Sequence, residues 1–165
     1  MTFPDAEGLR PTPDRVRETL FNWLGQDMAG KRCLDLFAGS GALGMEAASR
    51  GAAEVVMVEK NRVVFRALQE NIKKLNFTNI ALRNEDGLNF ASHGSGQFDV
   101  IFLDPPFQSN YFEKLLPQLA GQLSAQGFLY VESGTQLETG DPWQIIKHGK
   151  AGAVHYQLLQ LTRHD

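Results

Sequence analysis

The chain reads as a single open α/β domain built on a mostly parallel sheet that closes with an antiparallel pair, helices covering both faces. Three observations predict this. Short apolar runs of strand composition alternate with stretches at helical spacing, the pattern of parallel β-α units. The first strand-like run leads directly into a glycine-rich turn and then a helix. After Gly140-Asp141-Pro142 the alternation stops, and two strand-like runs follow with only a short glycine-containing loop between them. The 165 residues are those of one domain with a real core, residues 1–13 forming an irregular, Pro- and Gly-rich lead-in.

The elements follow in order. Thr12 or Asp14 is placed to cap a helix over 14–24, with Pro13 in its first turn; Val16, Leu20, Phe21 and Leu24 share one face. Residues 32–37 form a short apolar strand, 39–41 turn, and a helix over 42–50 ends at Gly51. Residues 54–59 are the second strand. The helix over 61–75 carries Val64, Leu68, Ile72 and Leu75 at helical spacing. Residues 80–83 are a weak third strand and 98–103 the fourth. Residues 111–123 are helical despite Pro117, and 127–132 form the fifth strand. The final pair spans 143–148 and 154–162, joined by a hairpin loop at 149–152.

Composition narrows the function classes. At 42% hydrophobic and 21% charged, the chain has the balance of a water-soluble globular domain. No apolar run approaches the roughly 20 residues of a membrane span, and the N-terminus lacks a signal peptide's basic start and apolar core, so a cytoplasmic protein is expected. Cys33 is the single cysteine and sits in an apolar run, as a buried strand residue does. His93, His148, His155 and His164 have no metal-ligand spacing; surface or hairpin positions and no metal site are expected. A net charge of −3 is unusual for a nucleic-acid enzyme, although Arg10, Arg15, Arg17, Lys31 and Arg32 concentrate near the N-terminus.

Two motifs carry chemistry. Gly39, Gly41 and Gly44 satisfy G-x-G-x-x-G between a strand and a helix, where a tight turn brings backbone N–H groups to an anionic ligand group. By itself this pattern serves a dinucleotide, a methyl donor or no ligand at all. Asp35 and Phe37, just before the turn, shift the balance: a carboxylate there suits a ligand ammonium and is out of place beside a pyrophosphate. Glu59 ends the second strand about 20 residues past Gly39, the spacing of a carboxylate that binds ribose hydroxyls. The rival reading is an exposed acid paired with Lys60. Asp86 follows the third strand, either as an acceptor for an adenine amino group or as the cap of a helix over 87–91.

The second motif is Asp104-Pro105-Pro106-Phe107, directly after the fourth strand. A nucleobase amino group is a poor nucleophile because its lone pair is delocalised into the ring. Two oxygen acceptors on its hydrogens, the Asp104 carboxylate and the Pro105 carbonyl, favour a pyramidal nitrogen whose lone pair can point at a sulfonium methyl. The prolines stiffen that geometry, and Phe107 is placed to stack on the base. The base must be unpaired or flipped out to be reached. The bland alternative, a Pro-Pro loop breaker, accounts for neither the preceding Asp nor the following aromatic.

These residues resemble the class I methyltransferase pattern. More narrowly, residues 10–24, from Arg10-Pro11-Thr12-Pro13 to Phe21-Asn22-Trp23-Leu24, are similar to the N-terminal signature of the bacterial 16S ribosomal RNA guanine-N2 methyltransferase family, and 35–44 and 104–107 match its cofactor and catalytic motifs. The resemblance implies a Rossmann-like seven-stranded sheet with its last strand antiparallel. It implies S-adenosyl-L-methionine as cofactor and one methyl added to a guanine amino group of 16S rRNA, within an assembled or assembling small subunit. The implied cofactor set is Thr12, Asp35, Phe37, Gly39, Ser40, Gly41, Glu59, Lys60, Asp86 and Gly87; the catalytic set is Asp104, Pro105, Pro106 and Phe107; Arg10, Arg15 and Arg17 would meet RNA. The Arg- and Gly-rich segment that family members carry ahead of the signature is absent, so cofactor binding is expected to be normal and RNA binding weak. The rivals are an adenine-N6 DNA methyltransferase, an NAD-dependent oxidoreductase and a catalytically silent binding partner.

Overall fold

The computed structural model describes residues 13–94, 96–105 and 111–162. Twelve elements alternate as expected: α1 (Asp14–Trp23), β1 (Arg32–Asp35), α2 (Ala42–Ser49), β2 (Glu54–Val58), α3 (Arg62–Lys74), β3 (Ile80–Arg83), α4 (Gly87–His93), β4 (Phe98–Leu103), α5 (Tyr111–Ala120), β5 (Leu123–Ser133), β6 (Trp143–Ala151) and β7 (Val154–Leu161). The seven strands form one sheet in the order β3-β2-β1-β4-β5-β7-β6. β1 to β5 are parallel, β7 enters antiparallel to β5, and β6 pairs antiparallel with β7 on the outside. The strand order reverses between β1 and β4, the switch point where open α/β sheets place their ligands.

Two cores lie on the two faces. On one, Val16, Leu20 and Phe21 of α1 pack with Leu43 and Met45 of α2, Leu68 of α3, and Phe102 and Tyr130 of the sheet. On the other, Phe90 of α4 and Leu115, Leu116 and Leu119 of α5 pack with Leu34, Ile101, Leu129 and Trp143. The central strands bury both faces, which is why they read as unbroken apolar runs. Cys33 is fully buried in β1, and burial pushes its thiol up to about 12.

Several boundaries differ from the sequence reading. α1 begins after Pro13 with no side-chain cap; Asp14 is its first helical residue and turns to Arg17 instead, while Thr12 lies outside the described residues. α5 stops at Ala120, because the backbone at Gln122 already accepts from the Phe98 N–H and Leu123 pairs with Phe98 in the sheet. The hairpin turn is Gly152-Ala153, and Gly149 and Lys150 belong to β6. Gly149 pairs with Tyr156 in the ladder, and the Tyr156 ring lies where a Cβ would stand, so the position requires glycine. No helix among the described residues is long and apolar enough to cross a membrane.

Candidate active site

Each of the five parallel strands runs into a carboxylate at its carboxyl end. Asp35 closes β1, Glu59 follows β2, Glu85 and Asp86 follow β3, Asp104 follows β4, and Glu132 is the penultimate residue of β5. The glycine turn between β1 and α2 opens on this same edge. The site is thus an acidic rim around a backbone turn.

The turn is held from both sides. Gly41 has φ of 78° and is the N-cap of α2; a Cβ there would collide with the Leu68, Met45 and Met57 side chains. The Gly39 N–H donates to Glu59 Oε1 at 2.9 Å, and Glu59 Oε2 accepts from the Asn61 N–H at 2.8 Å. The half-buried Glu59 carboxylate therefore joins the end of β2 to the turn. That is a different arrangement from an acid paired with Lys60, whose carbonyl accepts from Asn84. Ser40 Oγ accepts from the Ala42 N–H at 3.4 Å.

Asp35 is 3% exposed, and its Oδ2 accepts from the Gly44 N–H at 3.1 Å, so it braces the first turn of α2. Burial raises its carboxyl to about 7, with Glu59 and Glu132 pushing the same way and the Gly44 hydrogen bond opposing them. Asp86 caps α4, accepting from the Leu88 N–H at 3.2 Å. The helix-cap reading of Asp86 is thus realised, on the ligand edge of the sheet. Phe37 leans its ring over the buried Gly87 and stacks on Tyr111 at 5.6 Å between ring centroids.

On the far side of the switch point, Asp104 is half-buried and Pro105 buried, directly beyond β4; Pro106 and Phe107 lie outside the described residues. One step past the last parallel pair, Leu103 with Val131, Asp104 on one strand is flanked by Glu132 on the next. The fully buried Tyr130 donates its hydroxyl to Glu132 Oε1 at 2.9 Å. Burial first, then Glu132 and Asp104, drive the phenol far above its ordinary range, so it remains a donor. Tyr130, Glu132 and Tyr111 were not singled out in the sequence. The signal for Glu132 was available, since it ends a strand as Asp35 and Glu59 do.

Two members of the N-terminal basic cluster are engaged in ion pairs. Arg17 pairs with Asp14 at 2.8 Å and Glu46 at 3.5 Å. Arg32 pairs with Glu54 at 2.9 Å at the amino end of β1, away from the acidic rim. Arg15 is exposed on α1, and Arg10 lies outside the described residues.

The comparisons with known proteins agree with this architecture. A family model described as Conserved hypothetical protein 95 matches residues 1–160. The ribosomal RNA small subunit methyltransferase D of Escherichia coli (strain K12) is 41% identical over 95% of this chain and 82% of its own. The enzyme of the same name from Haemophilus influenzae is 40% identical over 94% of this chain and 85% of its own. Among solved structures, the yhhF protein of Escherichia coli superposes with a TM-score of 0.87 at 38% identity, covering 98% of this chain and 92% of that one.

Proposed function

The chain belongs to the Conserved hypothetical protein 95 family, alongside the small subunit rRNA methyltransferase D enzymes, and from that premise we propose that it methylates the exocyclic N2 amino group of a guanine in 16S rRNA, using S-adenosyl-L-methionine. One observation carries the cofactor half. Every parallel strand ends in a carboxylate around the glycine turn, a field that favours a ligand bearing ammonium and sulfonium charges and opposes the pyrophosphate of a dinucleotide. The donor set fits. Glu59 has two carboxylate oxygens, each accepting one backbone N–H and each with a further lone pair for a ribose hydroxyl; the tight turn at Gly39 to Gly41 lets a ligand approach the backbone closely, and Asp35 stands behind the turn for an ammonium. Asp86 and Gly87, with the Phe37 ring against them, form the end that suits an adenine. Thr12, Ser40 and Lys60 complete the proposed cofactor set.

The bound cofactor supplies an electrophilic methyl carbon. The chain's own residues position the acceptor. Asp104 and the Pro105 carbonyl accept the two amine hydrogens, which turns the nitrogen lone pair toward the methyl; Pro106 stiffens the loop and Phe107 stacks on the base. As the C–N bond forms the methyl–sulfur bond would break, its electron pair staying on sulfur, so that the positive charge passes to the nitrogen and the Asp104 carboxylate would take the proton that leaves. The Tyr130–Glu132 pair packs beside it and keeps that wall of the site fixed. Arg10, Arg15 and Arg17 are the proposed N-terminal RNA contacts, and the substrate is proposed to be an assembled or assembling small subunit in the cytoplasm.

The test is genetic and chemical. Small subunit rRNA from cells lacking the protein is expected to lose one N2-methylguanine, and adding purified protein with S-adenosylmethionine should restore it at the same nucleotide. An unchanged methylation map would reject the reading.

A further inference from the structure

An acidic rim that suits a cationic cofactor repels RNA phosphates, so the phosphate contacts must come from elsewhere. Between Trp143 and Thr162 the chain has no Asp or Glu, while it carries Lys147, His148, Lys150 and His155. This stretch is the β6–β7 hairpin, and its register fixes where those groups stand. β7 runs antiparallel to β5, Ser133 pairs with His155, and His155 pairs with Lys150. Ser133 ends β5, which runs parallel to β4, so the hairpin turn projects from the same sheet edge as Asp104. The rung holding Glu132, Tyr156 and Gly149 is level with Asp104, and the rung of Ser133, His155 and Lys150 lies one step beyond it. Three strand spacings of about 4.8 Å separate Lys150 from the Asp104 position, about 14 Å and thus a few nucleotides of a single strand. Lys147, His148 and Lys150 are all exposed.

We propose that the β6–β7 hairpin is an RNA-phosphate contact surface, on which Lys150 and Lys147 hold the strand flanking the target base. The proposal rests on the RNA methyltransferase reading above. Lysines on an edge strand also deter strand-to-strand aggregation. That role needs a charge anywhere along the edge, whereas here Lys150 stands one rung beyond Asp104 on one face of the edge strand and Lys147 two rungs behind that level on the other, in an element without acids on a net acidic chain.

The test measures binding of unmethylated small subunits, from cells lacking the protein, between 50 and 200 mM salt. For Lys147→Ala/Lys150→Ala, affinity at low salt is expected to fall about tenfold and the log–log salt slope to shrink by about one to two. S-adenosylmethionine affinity, turnover at saturating subunits and the unfolding midpoint should stay at wild-type values. Lys73→Ala/Lys74→Ala, at the far end of α3, removes equal charge and should leave the slope unchanged. A wild-type slope in the hairpin variant, or an equal loss in the α3 variant, overturns the proposal while leaving the methyltransferase reading intact, provided the wild-type protein methylates the subunits. A wild-type protein that neither binds nor methylates them overturns both.

Discussion

Glu59 Oε1 accepts the Gly39 N–H at 2.9 Å, tying the carboxyl end of β2 to the glycine turn after β1. One side chain therefore shapes the turn and, in the site proposed above, is also the carboxylate for the ribose. Glu59→Ala removes both functions. Loss of a charged hydrogen-bonding group costs about 1.5–3 kcal/mol, so affinity for S-adenosylmethionine should fall roughly 10- to 100-fold by calorimetry. Glu59→Gln keeps an acceptor for Gly39 and should lose less. Wild-type affinity in the alanine variant would remove Glu59 from the cofactor site.

Asp104 is expected to act on the amine and not on the cofactor. Asp104→Ala should lower methyl transfer about 100-fold or more, the scale seen when a positioned charge-stabilising group is removed. Cofactor affinity should stay within a few-fold of wild type. Asp104→Asn, which retains one acceptor oxygen, should fall between the two. Full activity in the alanine variant would place the chemistry elsewhere.

Asp35 gives a pH signature. Its carboxyl titrates at about 7 in the fold, chiefly through burial, against 3.8 for an ordinary aspartate. The native state therefore holds this proton more tightly than the unfolded chain. Its contribution to stability is full below about pH 4 and is lost as pH rises to about 7. In chemical denaturation, Asp35→Asn should flatten that part of the stability profile. The cationic cofactor favours the ionised form, so wild-type affinity should also rise from pH 6 to 8. A flat affinity profile would count against an ammonium near Asp35.

Gly41 tests the turn itself. A Cβ at φ 78° meets three side chains and a disfavoured backbone region. Gly41→Ala should cost about 1–3 kcal/mol in urea unfolding. A neutral result would mean that the turn relaxes without strain.

The alternation of strands and helices, the glycine turn and the closing hairpin were legible because each has a local signal: apolar periodicity, Gly spacing and a break after Pro142. What was missed depends on contacts between distant segments. The end of α5 is set by Phe98 reaching the Gln122 carbonyl, and β6 continues through Gly149 and Lys150 because they pair with Tyr156 and His155 of β7. The Asp35 bond to the Gly44 N–H, nine residues on, likewise forms only once the turn folds α2 back against β1. Glu132 is legible as a carboxylate at a strand end, but its place beside Asp104 comes from the register of β5 against β4.

The central claim is the identity of the methylated atom. Purified protein, methyl-labelled S-adenosylmethionine and unmethylated small subunits should yield labelled N2-methylguanosine when the RNA is digested to nucleosides and resolved by mass spectrometry. Label in N6-methyladenosine, or in no nucleoside at all, would contradict it.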